Sequence, residues 1–559
     1  MNPQPPVTRM RMAARTSSAD KSAPAESSPV IAGVRRYLEH WQDALAGTDW
    51  VPWAILGLAV FLRFLLLGMK PPHFDEGING WFVDQVVKNG FYRYDPTNYH
   101  GPLHFYVLLL FECLFGRNLW ALRLPVVLVS IGCVWLILKF EPLVGRNVSR
   151  IAALAMAISP GFVFYGRYAI HEVWLQLFST MFILGLLGLW KFGRLNYLWC
   201  AGMGLAGMIL TKETYAIHLA CAILAIPTLA VSYALSRVPD AKPAKQTWTW
   251  IDLAMVLGVG AAAIIFFYSG TFFNWDGLKG LYLAFKAWTE TGEAGHGHEK
   301  AWDYWFKMMG PSWETGGENF TAYELPMLAG LILCLFCQKF KNLSIRYLAI
   351  YGVGSLVAYS YVKYKTPWCI ISFGWPFLFV LGAWVLLVRP KNLRKVYVTI
   401  GVLLCLSLVR SVWLNYFRCS SPTEPYAYVQ TYNDIFKLKP LLTLAKRDPA
   451  YYHLTGHLIR SSVYPLPWTL GDFDRVGYYE GGNMPANLDG DFLLVQQDKI
   501  KDVESKLKGA YYTDTLTLRN YQDPSKLFLS AKVFKEFFPG KAPDFVGGAQ
   551  NHAPPQTPR

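Results

Sequence analysis

The stretch Trp50 to Met69, WVPWAILGLAVFLRFLLLGM, is followed almost at once by Pro72 to Phe82, PHFDEGINGWF. The first reads as a membrane span, since about 20 apolar residues in a helix match the thickness of a bilayer's hydrocarbon core. The second places Asp75 and Glu76 at its exit, where a carboxylate is costly unless water or a partner meets it. An apolar helix thus delivers adjacent acids, with aromatics and glycines, to the edge of the lipid.

The composition extends that reading to the whole chain. Of 559 residues, 53% are hydrophobic and only 16% charged, where a soluble domain carries about 25% charged residues. The apolar residues gather into runs near 51–69, 120–139, 149–164, 172–190, 196–212, 215–235, 249–268, 324–340, 344–361, 368–388 and 396–413. These predict a polytopic α-helical membrane protein with about 11 transmembrane helices. The short run 101–115, GPLHFYVLLLFECLF, is read as interfacial and stays outside that count.

The net charge of +15 raises nucleic-acid binding, but the cations sit between apolar runs, and no basic helix with interleaved aromatics lies outside the membrane part. Every second connection is basic, among them Lys139/Arg146/Arg150, Lys191/Arg194, Lys339/Lys341/Arg346 and Arg389/Lys391/Arg394/Lys395. By the positive-inside rule the N-terminus is cytoplasmic and the C-terminal region extracytoplasmic, in a plasma (inner) membrane. Most of the nine cysteines fall inside apolar runs, and the Cys334/Cys337 pair has no second pair, so packing explains them.

Four segments follow. Residues 1–50 read as a cytoplasmic disordered tail with a short amphipathic helix, VRRYLEHWQDAL, and 51–413 as the transmembrane domain with external loops 70–101 and 270–322. Residues 414–540 alternate amphipathic stretches (YAYVQTYNDIFKLKPLLTLAKRD, LFLSAKVFKEFF) with strand-like runs (DRVGYY, DFLLVQQ, AYYTDTLTL). That pattern predicts an extracytoplasmic α/β domain with a partly parallel sheet. The Pro- and Gly-rich end, 541–559, reads as disordered.

The polar clusters gather on the external face. Adjacent in sequence, Asp75 and Glu76 diverge in any regular structure, so only one meets a given reacting atom. A purely structural alternative makes Asp75 the N-cap of a helix starting at Gly77. Glu172 closes YGRYAIHE after Arg167 and His171, where an Arg167–Glu172 ion pair is the structural alternative. Arg123, Lys212, Lys363 and Lys365 lie near external helix ends, where snorkelling or an anionic partner at headgroup depth accounts for them. His100 and His104 flank a Gly-Pro break. In TGEAGHGHEKAWDYW the glycine-rich setting suggests a mobile lid, and His296, His298 and Glu299 make a divalent metal the alternative.

At these residues the chain resembles the GT-C glycosyltransferases, a superfamily that includes protein O-mannosyltransferases, aminoarabinose transferases and RgtA/B/C/D-type enzymes. The likeness rests on the DE pair after the first span, then HGPLHFY, GRNLWALRLP and YGRYAIHE, and YKTPW and YPLPW further on. Within that group it is most similar to the family of flippase-activity-associated membrane proteins. The resemblance implies transfer of a sugar from a polyprenyl-phosphate carrier to a glycan, lipid or protein acceptor on the extracytoplasmic face, with inversion. It makes Asp75 the base, with Glu76 beside it and Glu172 as second acid. Arg123 and Lys212 would hold the phosphate, and His100, Arg167, His171, Lys363 and Lys365 would stand around the substrates. The competing expectation, a non-catalytic transporter or flippase partner, calls for inverted repeats and charges buried at mid-membrane.

Overall fold

The computed structural model describes residues 49–236, 245–295, 297–310, 312–315, 318–321, 323–480, 483–519 and 522–547. The expected cytoplasmic tail, the tail 541–559 beyond residue 547, and His296 lie outside them. Among the described residues, six helices are long and apolar enough to cross a membrane: Leu119–Val144, Glu172–Phe192, Tyr215–Ser236, Trp250–Tyr268, Pro367–Leu386 and Pro390–Phe417. Val51–Phe64, Leu103–Phe115, Leu195–Ile209 and Leu325–Lys339 are apolar but shorter. The protein is a multi-pass membrane protein.

Local chemistry explains where the helices depart from the apolar runs. The run 149–164 is split into Arg146–Ile158 and Pro160–Tyr165, because Pro160 lacks the N–H that would continue the first helix. The first helix stops at Phe64, and Leu66 turns the chain with φ 51°. The loop 270–322 holds more structure than a lid requires, with helices Gly277–Ala294 and Tyr304–Met309 and a hairpin of β1 (Ser312–Thr315) and β2 (Glu318–Thr321). Its residues 298–300 are tied to the segment before Pro367: Lys300 N donates to Lys363 O (3.3 Å) and Lys365 N to His298 O (3.1 Å).

The C-terminal domain carries a mixed sheet of β3 (Thr455–Ile459), β4 (Arg475–Tyr479), β5 (Phe492–Gln496), β6 (Ala510–Leu516), β7 (Ser525–Ser530) and β8 (Phe545–Val546), in the order β4-β3-β5-β7-β6-β8. Strand β3 pairs parallel with β4 and β5, and the other pairs are antiparallel. The amphipathic stretch LFLSAKVFKEFF begins inside strand β7 and turns helical only at Ala531. Leu527 and Leu529 face one apolar cluster and Phe528 the other, so β7 is buried on both faces and its hydrophobic run hides the strand period.

This domain docks on the Phe74–Asn89 helix. Gly77 and Gly80 lack a Cβ where Pro465 and Trp468 of YPLPW press in; an added Cβ would lie 2.4 Å from Pro465 Cα and 2.3 Å from Trp468 Cδ1. The glycines beside the acids are therefore the seat of the C-terminal domain.

Candidate active site

The acids at the exit of the first span sit in the first turn of the Phe74–Asn89 helix, and its start corrects the N-cap alternative for Asp75. The cap is His73: its Nδ1 accepts from the Asp75 amide (3.1 Å), while its own N–H donates to Glu76 Oε2 (2.9 Å), a reciprocal capping box. Asp75 is left free to point elsewhere.

Glu76 and Asp75 diverge. Glu76 is fully buried against Arg123, which donates from Nε to Oε1 (2.8 Å) and from Nη2 to Oε2 (2.7 Å). The guanidinium also reaches the carbonyls of Leu67, Lys70 and Pro71. Burial alone would raise the Glu76 pKa, but Arg123 outweighs it and holds the carboxyl below its ordinary range. Glu76 Oε1 also accepts the amide of Ala169 (3.0 Å), which fixes the segment carrying His171 and Glu172. The expectation that Arg123 meets a phosphate is thus replaced by a buried clamp, and Glu76 belongs to the clamp rather than to any cavity.

Asp75, its side chain 29% exposed, lines a cavity of about 250 Å³. The wall includes Asn79, Tyr99, His100, His171, Glu172, Lys212, Glu213, Trp288, Tyr364 and Trp368. Residues far apart in sequence meet here because two breaks between helices face each other. The break before Glu172 brings His171 and Glu172, and the break between the Leu195–Ile209 and Tyr215–Ser236 helices brings Lys212 and Glu213.

Lys212 is the hub. Its Nζ lies 2.9 Å from Glu172 Oε1 and 3.4 Å from Glu213 Oε1, and His100 Nδ1 is 2.9 Å from Glu213 Oε2. The ammonium sits off the hydrogen-bonding direction of Glu172, so Oε1 has no aligned donor. Burial opposes the charge on Lys212, yet Glu172 and Glu213 outweigh it and raise its pKa. Burial likewise penalises the Glu213 carboxylate, which Lys212 and His100 pull down below its ordinary range. The His171 ring stands between His104 (4.3 Å between centroids) and His100 (4.5 Å), and burial with these neighbours keeps it neutral.

The remaining expected residues lie apart from the cavity. Arg167 forms no pair with Glu172; its Nη2 donates to the carbonyls of Leu65 (2.6 Å) and Leu66 (2.9 Å), closing the turn after the first helix. Lys363 is exposed, and Lys365 Nζ is spent on the carbonyls of Lys300 (3.0 Å) and Val362 (2.5 Å). His298 Nδ1 meets Tyr428 Oη at 2.7 Å, and among the described residues no group of three or more His, Cys, Asp or Glu is arranged to hold a metal. Glu213, in TKET, was missed as a site residue, although an acid beside Lys212 in a polar break was its visible signal.

A larger apolar cavity of about 960 Å³ lies between the Tyr215–Ser236 and Leu343–Tyr361 helices. It shares Ile217 and Trp288 with the polar one.

Comparison with known proteins gives the fold a place. Residues 99–266 match the family model described as dolichyl-phosphate-mannose-protein mannosyltransferase. The chain is 31% identical over 84 residues to a putative mannosyltransferase, YycA, of Bacillus subtilis (strain 168), a match covering 14% of this chain and 12% of that relative. The crystal structure of ArnT from Cupriavidus metallidurans bound to undecaprenyl phosphate superposes with a TM-score of 0.60 at 13% identity, over 87% of this chain and 99% of that one. The apo state of the same protein gives 0.58. By its fold, the chain is similar to ArnT, and residues 99–266 carry its match to the mannosyltransferase family model.

Proposed function

We propose that the protein transfers a sugar from a polyprenyl-phosphate carrier to an acceptor hydroxyl on the extracytoplasmic face, with inversion and with Asp75 as general base. One observation carries this reading: the polar cavity holding Asp75 adjoins a large apolar cavity, and Ile217 and Trp288 line both. A lipid-linked donor needs that pairing, because its tail is apolar and its scissile bond is at the headgroup. Undecaprenyl phosphate, which the ArnT structure binds, is a carrier of the chemistry meant.

In the step itself the acceptor oxygen attacks the anomeric carbon as Asp75 takes its proton. The bond to the carrier phosphate breaks on the opposite side, and the phosphate leaves with the electron pair. A lipid phosphate needs positive charge more than a proton, and Lys212 is the cavity's ammonium. The positive-inside pattern supports a cytoplasmic N-terminus and an extracytoplasmic sheet domain in the inner membrane.

The test is transfer by purified protein from a panel of radiolabelled polyprenyl-phosphate sugars. Asp75→Asn should lower turnover by roughly 10²–10⁴-fold, the usual worth of a general base. Turnover near that of the unaltered protein would remove the catalytic role from Asp75 and the main support for an enzyme.

A further inference from the structure

Strands β3, β5 and β6 point the same way, since β3 pairs parallel with β5, and β5 and β6 are each antiparallel to β7. Their carboxyl ends therefore share one edge of the sheet, the edge where open α/β sheets take ligands. Arg460 follows β3 and Arg519 follows β6 on that edge. This edge meets the Phe74–Asn89 helix: the Arg519 guanidinium lies 4.2 Å above the Phe74 ring, beside Asp75 in sequence.

Both guanidiniums are buried, at 3% and 6% exposure, and no described carboxylate pairs with either. Arg460 is held by neutral acceptors only: the Ser462 carbonyl (2.6 Å), Ser525 Oγ (3.2 Å) and Gln522 Oε1 (2.8 Å). Arg519 has one hydrogen bond among the described residues, from Nη2 to Ser462 Oγ (2.7 Å). Arg460 is thus satisfied much as other buried arginines are, and Arg519 is the one of the two with donors to spare. Arg123 and Arg410 face carboxylates, and Arg63, Arg167 and Arg346 end on backbone carbonyls. Burial and, for Arg460, the adjacent Arg519 push both pKa values down to about 10, although the Asp75 carboxylate pulls that of Arg519 up. Arg519 has the Asp75 carboxylate near it but forms no ion pair with it, and among the described residues its Nε and Nη1 make no hydrogen bond, so the guanidinium has donors left for an oxyanion.

The position says which substrate brings it. The apolar cavity joins the active site at Ile217 and Trp288, next to the segment with Lys212 and Glu213, so a lipid carrier arrives on that side. Arg519 approaches Asp75 from the C-terminal domain. We propose that Arg519, backed by Arg460, binds a phosphate or carboxylate group on the acceptor, setting a neighbouring hydroxyl against Asp75. The assignment to an acceptor rests on the transferase reading; oxyanion binding itself does not.

The experiment measures binding of inorganic phosphate and of glucuronate to the full chain in detergent. The readout is the saturable rise in melting temperature at ionic strength fixed with KCl. At least one probe should bind the unaltered protein. Arg519→Gln should weaken that binding about tenfold or more, the worth of a lost charged hydrogen bond. Arg519→Lys, which keeps the charge, should lose less, whereas Lys212→Gln should change it less than about threefold, because the loss of a charged hydrogen bond is worth about tenfold. The proposal is overturned if neither probe binds, or if Arg519→Gln binds as tightly as the unaltered protein. Loss in Lys212→Gln with retention in Arg519→Gln would move the anion to the donor side and equally overturn it. Should Arg519→Gln not fold, unchanged affinity in Arg519→Lys overturns the proposal and a clear loss there supports it. A silent Asp75→Asn with intact phosphate binding would sink the transferase reading alone.

Discussion

Replacing Glu76 by Gln changes one atom and keeps the shape, yet the structure predicts a large loss of stability with no direct chemical lesion. The four contacts to its carboxylate all come from donors: Arg123 Nε and the Ala169 amide at Oε1, Arg123 Nη2 and the His73 amide at Oε2. The amide nitrogen of Gln must occupy one of these positions, so it confronts two donors whichever way it turns. Arg123 would also keep its charge with no counter-charge at 0% exposure. Breaking a buried pair from one side costs about 3–5 kcal/mol, a large share of the ~5–15 kcal/mol that holds a typical domain.

The assay is the melting temperature of detergent-purified protein, set beside its transfer rate well below that temperature. Glu76→Gln should melt much earlier and yield less monodisperse protein. Asp75→Asn, at a part-exposed side chain, should shift stability by no more than about 0.5 kcal/mol while losing transfer. An unchanged melting temperature in Glu76→Gln, with transfer lost as in Asp75→Asn, would refute the clamp and return Glu76 to the chemistry.

Ala220 lines the apolar cavity, so Ala220→Phe should displace two or so methylenes of a bound tail, at about 0.8 kcal/mol each. KM for a long-chain lipid-linked donor should rise roughly tenfold, and for a short-chain analogue much less, in the same transfer assay. Acid should destabilise the fold. Burial and its neighbours lower the His171 pKa, so as pH falls through about 6.5 the unfolded chain takes a proton that the folded protein refuses. Glu213, held below its ordinary range, adds stability that is lost at still lower pH. Melting temperatures should fall between pH 7 and pH 5, and His171→Asn should flatten that fall.

The sequence by itself determined the multi-pass membrane class and the presence of a C-terminal α/β domain, because apolar length and the alternation of strand and helix act locally and leave their period in the chain. It also marked Asp75, Glu172, His100, His171 and Lys212, each exposed to view by a polar break between apolar runs. Tertiary structure alone decided their roles. Asp75 and Glu76 look equivalent in sequence, but the His73 cap and the Arg123 clamp turn one into the core and leave the other in the cavity. Arg123 reads as a cation for a phosphate and Arg167 and Lys365 as substrate contacts, yet each is consumed by backbone carbonyls or a buried carboxylate that lies near only after folding. Arg519 carried no signal at all, since its meaning comes from the meeting of one sheet edge with one helix turn. Hydropathy is a property of neighbours in sequence; charge compensation is a property of neighbours in space.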